Sequence, residues 1–218
     1  MRIRSVVILL ASLGLIVFAS TRAFSEDEKP AGGMPEMSPE MMKKMQECMK
    51  NMQPSDAHKL LTERAGSWKV TMKMWMMGEG SGPPMISEGT SEVKSILGGR
   101  YVSEDFHCSM MMPDEKGGMS KVPYEGTGLT GYDNDRKVYF GNWANNLGTA
   151  MLTFKGSVSQ DGKTLTMYGE MDEPMMGIYG RYVRYVTKTI SKDKHVFSVY
   201  DLHAGDNYKV FEIDYERK

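Results

Sequence analysis

From Trp68 to the C-terminus, apolar residues recur at every second position in short runs, and each run is followed within a few residues by a turn signal. In the first run Trp68, Val70, Met72, Met74 and Met76 alternate with Lys69, Thr71, Lys73, Trp75 and Met77. Successive side chains of an extended strand point to opposite faces, so this period predicts a strand with one buried face. Comparable runs follow at 85–96, 100–108, 121–131, 136–144, 149–156, 163–171, 178–190, 194–203 and 207–217. Gly98-Gly99, Asp133-Asn134-Asp135, Asp161-Gly162, Lys192-Asp193-Lys194 and Ala204-Gly205-Asp206-Asn207 supply tight turns between them. Strands in that number, joined by short links without helical pattern, need no crossover connections. The expectation over residues 55–218 is an all-β domain, an antiparallel up-and-down barrel of about ten strands.

A different pattern precedes the strands. Ser38 is a helix N-cap in sequence, with Pro39 at the first helical position and Glu40 in the first turn. Met41, Met42, Met45, Cys48, Met49 and Met52 then recur at helical spacing, with Lys43, Lys44, Glu47 and Lys50 largely on the other side. This predicts a Met-rich helical arm within 26–54 that ends before Pro54. A second, short helix is signalled by Ser55 as N-cap, by Leu60, Leu61 and Ala65 on one face, and by Gly66 as C-cap.

At the start of the chain, Arg2 and Arg4 precede an apolar run from Val6 to Phe18, and Ala23-Phe24-Ser25 supplies small residues at the positions a signal peptidase reads. Residues 1–25 therefore read as a secretory signal peptide, which makes the expected location periplasmic or secreted. The run is too short for a comfortable membrane span. Removing Arg2, Arg4 and Arg22 from 27 basic residues leaves 24 against 28 acidic ones, with no basic stripe, so nucleic acid is not an expected partner. Two cysteines, Cys48 and Cys108, would then enter an oxidising compartment, and a single disulfide between them is the simple expectation.

Several spaced residues resemble the secreted bacterial family called domain of unknown function 1579. They are Gly66-Ser67-Trp68, Leu97-Gly98-Gly99-Arg100-Tyr101, the run Gly126-Thr127-Gly128-Leu129-Thr130-Gly131-Tyr132-Asp133, Trp143 with Gly148-Thr149, and the closing stretch from Lys209 to Arg217. The resemblance spans nearly all of 55–218 and implies a calycin-like, lipocalin-like barrel, but no activity. Haem-binding nitrobindins are distant relatives in shape that carry further glycines after the first tryptophan. Here Lys69, Val70 and Thr71 follow Trp68, which speaks against haem.

Chemistry is harder to place. The histidines, His58, His107, His195 and His203, sit in no motif with a nucleophile and an orienting carboxylate, and no Gly-x-Ser-x-Gly or His-Glu-x-x-His occurs. The expected role is binding, not catalysis: a small apolar or amphipathic ligand inside the barrel, with Trp68, Met72, Met74, Met76 and Trp143 as lining. The alternative uses the abundant thioethers as soft ligands for Cu(I). Met34, Met37, Met41, Met45, Met49 and Met52 fall three or four apart along the arm, and His107, Cys108 and Met110 concentrate further soft donors. Against the metal stands the plainer reading of the Met stripe as a packing face.

Overall fold

In the computed structural model, residues 6–10, 15–19, 37–115, 117–173 and 177–218 are described. The chain divides into two compact units, Met1–Lys44 and Met45–Lys218. In the first, β1 (Val6–Leu10) pairs antiparallel with β2 (Leu15–Ala19). Helix α1 (Pro39–Asn51) begins as its cap residue predicts, with the Met41 amide donating to Ser38 Oγ at 3.2 Å. A short helix α2 (Asp56–Thr62) follows Ser55. Among the described residues no helix is long and apolar enough to cross a membrane.

Ten strands make a closed barrel: β3 (Gly66–Met74), β4 (Met85–Ile96), β5 (Tyr101–Pro113), β6 (Met119–Asp133), β7 (Val138–Asn145), β8 (Leu152–Val158), β9 (Thr164–Glu173), β10 (Ile178–Ser191), β11 (Lys194–Asp201) and β12 (Lys209–Arg217). Each pairs antiparallel with its neighbour in sequence, and β12 pairs with β3 to complete the ring. The up-and-down barrel expected from the period of two is the observed fold. Closure leaves the barrel itself without an edge strand.

In β3 the alternation works as expected for Trp68, Val70 and Met72, which are buried, while Lys69 is exposed. Thr71 and Lys73 share the outward parity, and Lys73 holds Asp214 at 2.7 Å and Glu212 at 3.2 Å on the outer surface. Fully buried Val70, Val183 and Val199 each contribute roughly 1.5–3 kcal/mol relative to exposure. The expected inward position of Met76 is corrected by the structure, where it is 70% exposed. Register with β4 and β12 ends at Met74, paired with Met85 and Phe211. Trp75 then donates its amide to Val210 O at 2.9 Å and is buried with Lys209 over its ring, and the parity of the strand no longer governs the next residues.

One end of the barrel is capped. Leu61 of α2 is buried, and the Tyr139 hydroxyl donates to Ala57 O at 2.9 Å. The Ser55 hydroxyl donates to Asn134 Oδ1 at 2.7 Å, and its amide donates to His58 Nδ1 at 3.0 Å. Arg100 in the β4–β5 turn donates to Met52 O. Gly66, expected as a helix C-cap, instead opens β3; Glu63 holds the cap position.

Candidate functional site

The barrel encloses a cavity of about 260 Å³. Strand register gives its depth: residues paired near Trp68, Val93, Val102, Thr187 and His195 lie toward α2, whereas Met74, Met110, Asn145, Met171 and Phe211 lie toward the opposite end. The wall is mainly apolar, with Met72, Met167, Phe106, Phe154, Phe197 and Ile213 among its residues. Apolar character continues onto the rim away from α2. Met76 and Met77 in the β3–β4 loop, Met119 at the start of β6, Leu147 and Met151 in the β7–β8 loop and Tyr179 at the start of β10 are all exposed.

Trp143 owes its place to glycine. Its ring lies against Gly126 and Gly128 of β6, where an added Cβ on either would sit within 2.3 to 2.6 Å of the indole. The indole N–H donates to the Tyr124 hydroxyl at 2.9 Å, so the polar edge is satisfied inside an apolar wall.

Toward α2 the cavity turns polar. Glu104 of β5 faces inward between Val102 and Phe106, and its Oε1 accepts from Ser91 Oγ at 2.7 Å and from the Tyr215 hydroxyl at 3.0 Å. Burial raises its carboxyl above the usual carboxylate range; these bonds and the nearby Arg64 charge oppose the rise. Arg64, in the link between α2 and β3, lines the same region. Its Nε and Nη2 are shielded from solvent and find no acceptor. His195 stacks on Tyr215 with ring centroids 4.2 Å apart and meets Trp68 edge-on at 4.6 Å. Burial, with the Arg64 and Arg217 cations, pushes its pKa down to about 3, so the ring is neutral. Across the cavity the buried Tyr185 hydroxyl also has no partner, and burial pushes it up to about 12.

Of the residues singled out in the sequence, Met72, Met74 and Trp143 line the cavity. Trp68 is buried beneath it at the capped end, its indole N–H donating to Arg64 O at 2.9 Å. Met76 sits on the rim. The soft-donor concentration at His107–Met110 does not converge, because β5 runs through it. Alternation sends His107 outward beside Asp105, Glu125 and Thr127, whereas Cys108 packs against the core and Met110 lines the cavity.

The expected disulfide is likewise corrected: Cys48 and Cys108 are both free. Cys48 is exposed on α1, and Cys108 is half-buried on the inward parity of β5, where burial pushes its thiol up to about 11 and suppresses the thiolate needed for exchange. Met37, Met41, Met49 and Met52 are exposed, and Met45 is partly so; α1 buries no side chain. Met34 lies outside the described residues. Among the described residues no group of three or more His, Cys, Asp or Glu is arranged to hold a metal. His203 is exposed in the β11–β12 turn.

Sequence reasoning missed Arg64 and Glu104. The signal for Glu104 was its parity, a carboxyl on the inward face between Val102 and Phe106. Arg64 carried no signal, since its direction depends on how α2 docks.

No curated protein matches the chain. Among solved structures, a redesigned beta barrel is similar at 14% identity, covering 74% of this chain and 95% of that one, with a TM-score of 0.35. A family model described as protein of unknown function (DUF1579) matches residues 53–217, and the chain belongs to that family.

Proposed function

We propose that this protein binds a small, largely apolar or amphipathic molecule inside its barrel, acting as a carrier or sensor and not as an enzyme. The observation that carries the reading is the cavity of about 260 Å³, enclosed by a closed sheet and walled mainly by methionine and aromatic side chains. Methionine suits such a wall, because its unbranched thioether adapts to ligands of different shape. Uptake of Nile red, a neutral apolar dye, tests it. Wild type is expected to bind one dye per chain, and Met74→Trp, which fills the cavity toward the end away from α2, is expected to lose binding while keeping its circular dichroism. Equal dye binding by a folded Met74→Trp would place the dye elsewhere and contradict the reading.

A second reading rests on the exposure of the α1 thioethers. Met41, Met45, Met49 and Met52 present unburied sulfur at three- and four-residue spacing, which suits Cu(I). Replacing the four together with leucine is expected to abolish Cu(I) retention against a chromogenic chelator; retention unchanged would end this reading. Both readings go with export, proposed on Arg2, Arg4 and the apolar run from Val6 to Phe18. N-terminal sequencing of periplasmic protein is expected to begin near Glu26, and a sequence beginning at Met1 would contradict export by cleavage.

A further inference from the structure

The least explained group in the barrel is Arg64. It lines the cavity at the capped end, and among the described residues no carboxylate lies within ion-pair distance of it. The two nitrogens without an acceptor, Nε and Nη2, form one edge of the guanidinium. That edge presents two parallel N–H groups, the geometry that pairs with the two oxygens of a carboxylate. A buried donor without an acceptor costs the full desolvation of the group, so a fold keeps such an arrangement at the expense of stability.

The nearest counter-charge, Glu104, is felt by Arg64 but does not bond its Nε–Nη2 edge. Oε1 of Glu104 is already engaged by Ser91 and Tyr215. Burial raises its carboxyl above the usual range, while those two bonds and the Arg64 charge act to lower it. His195 is neutral and adds no positive charge of its own. The capped end thus carries the Arg64 cation at the bottom of a mainly apolar cavity, with its Nε–Nη2 edge unbonded. From there the wall runs through Met72, Met167 and Phe197 to Met74, Met110 and Met171, and on to the exposed rim at Met76, Met77 and Met151.

We propose that the ligand of this barrel is an amphiphile with a single carboxylate head, which pairs edge-on with Arg64 at the capped end while its alkyl tail lies along the methionine-lined wall toward the rim. The proposal rests on the binding reading above and adds the head chemistry and the orientation. A ligand of this kind satisfies the two N–H groups that Glu104 leaves without an acceptor. A neutral head of similar size satisfies at most part of that edge.

Displacement of Nile red by dodecanoate, dodecanol and dodecyltrimethylammonium, at about pH 8 so that the acid is ionised, separates the two claims. Wild type is expected to bind dodecanoate about tenfold or more tighter than dodecanol, as a hydrogen-bonded charge pair in a buried site implies, and the ammonium probe most weakly. Arg64→Met is expected to lose the preference for dodecanoate over dodecanol. The ligand-free variant is expected to unfold at a higher temperature than wild type, because an orphaned buried charge has been removed; a merely structural arginine gives the opposite shift. Dodecanol binding with no preference for dodecanoate in wild type would overturn the carboxylate proposal and leave the binding reading standing. Failure of all three probes to displace the dye would overturn both. Should Arg64→Met not fold, Arg64→Lys carries the test alongside the wild-type preference. It keeps a point charge without the two-nitrogen edge, so most of the preference is expected to vanish, and full preference in that variant would overturn the edge-on pairing.

Discussion

Arg217, at the end of the last strand, lies over the ring of Trp68 in the first barrel strand, with its guanidinium carbon 4.2 Å from the ring centroid. The two residues are register partners across the β12–β3 seam that closes the barrel. The same guanidinium donates to Ala65 O at 2.8 Å, Glu63 O at 3.1 Å and Lys192 O at 3.0 Å. One cation thus fastens the α2–β3 link, the β10–β11 turn and the seam together, and it covers the indole ring that His195 meets edge-on.

Arg217→Ala is expected to destabilise the fold by roughly 2–4 kcal/mol, the sum of a partly buried cation–π contact and the charged hydrogen bonds. Gly66 belongs to the same clasp. Its φ of +140° is costly for any other residue, and an added Cβ would collide with Arg217 Nη1. Gly66→Ala is therefore expected to be destabilising, and strongly non-additive with Arg217→Ala in a urea double-mutant cycle. Additive losses would show that the glycine and the arginine act separately.

Gly128→Ala is expected to push the Trp143 indole away from β6 and to strain the β6–β7 pairing, since an added Cβ would fall 2.6 Å from both the ring and Asn142 O. The nearest free volume is the cavity that Trp143 lines. The expected result is a shifted tryptophan emission with weaker Nile red binding, at a stability cost of about 1–3 kcal/mol for overpacking. Unchanged emission and binding would mean that the ring does not need the glycine groove.

His195 gives a pH signature. Its pKa is pushed down to about 3 in the fold by burial and by the Arg64 and Arg217 cations, against about 6.5 when unfolded. Below about pH 6.5 the unfolded chain takes up a proton that the folded chain refuses, so the stability it contributes is complete above that pH and drains away as pH falls toward 3, by about 1.4 kcal/mol per unit. In His195→Phe, urea unfolding between about pH 6 and 4 is expected to lose stability less steeply than in wild type. Parallel pH curves for the two proteins would show that the histidine is charged in the fold.

The strands could be read from the sequence because each carries its own two-residue period and is bounded by residues that turn the chain, as at Asp161-Gly162 and Gly98-Gly99. Met76 was misplaced by extending that period past Met74, where strand pairing ends. His107 and Cys108 looked like partners because they are adjacent in sequence, yet adjacency in a strand is what separates them. The polar end of the cavity was not legible, because Arg64, Glu104, His195 and Tyr215 come from four distant segments and meet only through register and the docking of α2. Parity alone could have picked out Glu104, but its partners Ser91 and Tyr215 lie on β4 and β12.

The methionines themselves offer the most direct test of a ligand inside the barrel. Met72, Met74, Met110, Met167 and Met171 line the cavity, whereas Met41, Met49 and Met52 of α1 are exposed. A titration with dodecanol, followed by nuclear magnetic resonance of methyl-labelled methionine, reports both sets at once. The expected result is a saturable one-to-one shift of the cavity methyls with the exposed ones unmoved. Shifts confined to the exposed methyls, or none that saturate, would contradict the account.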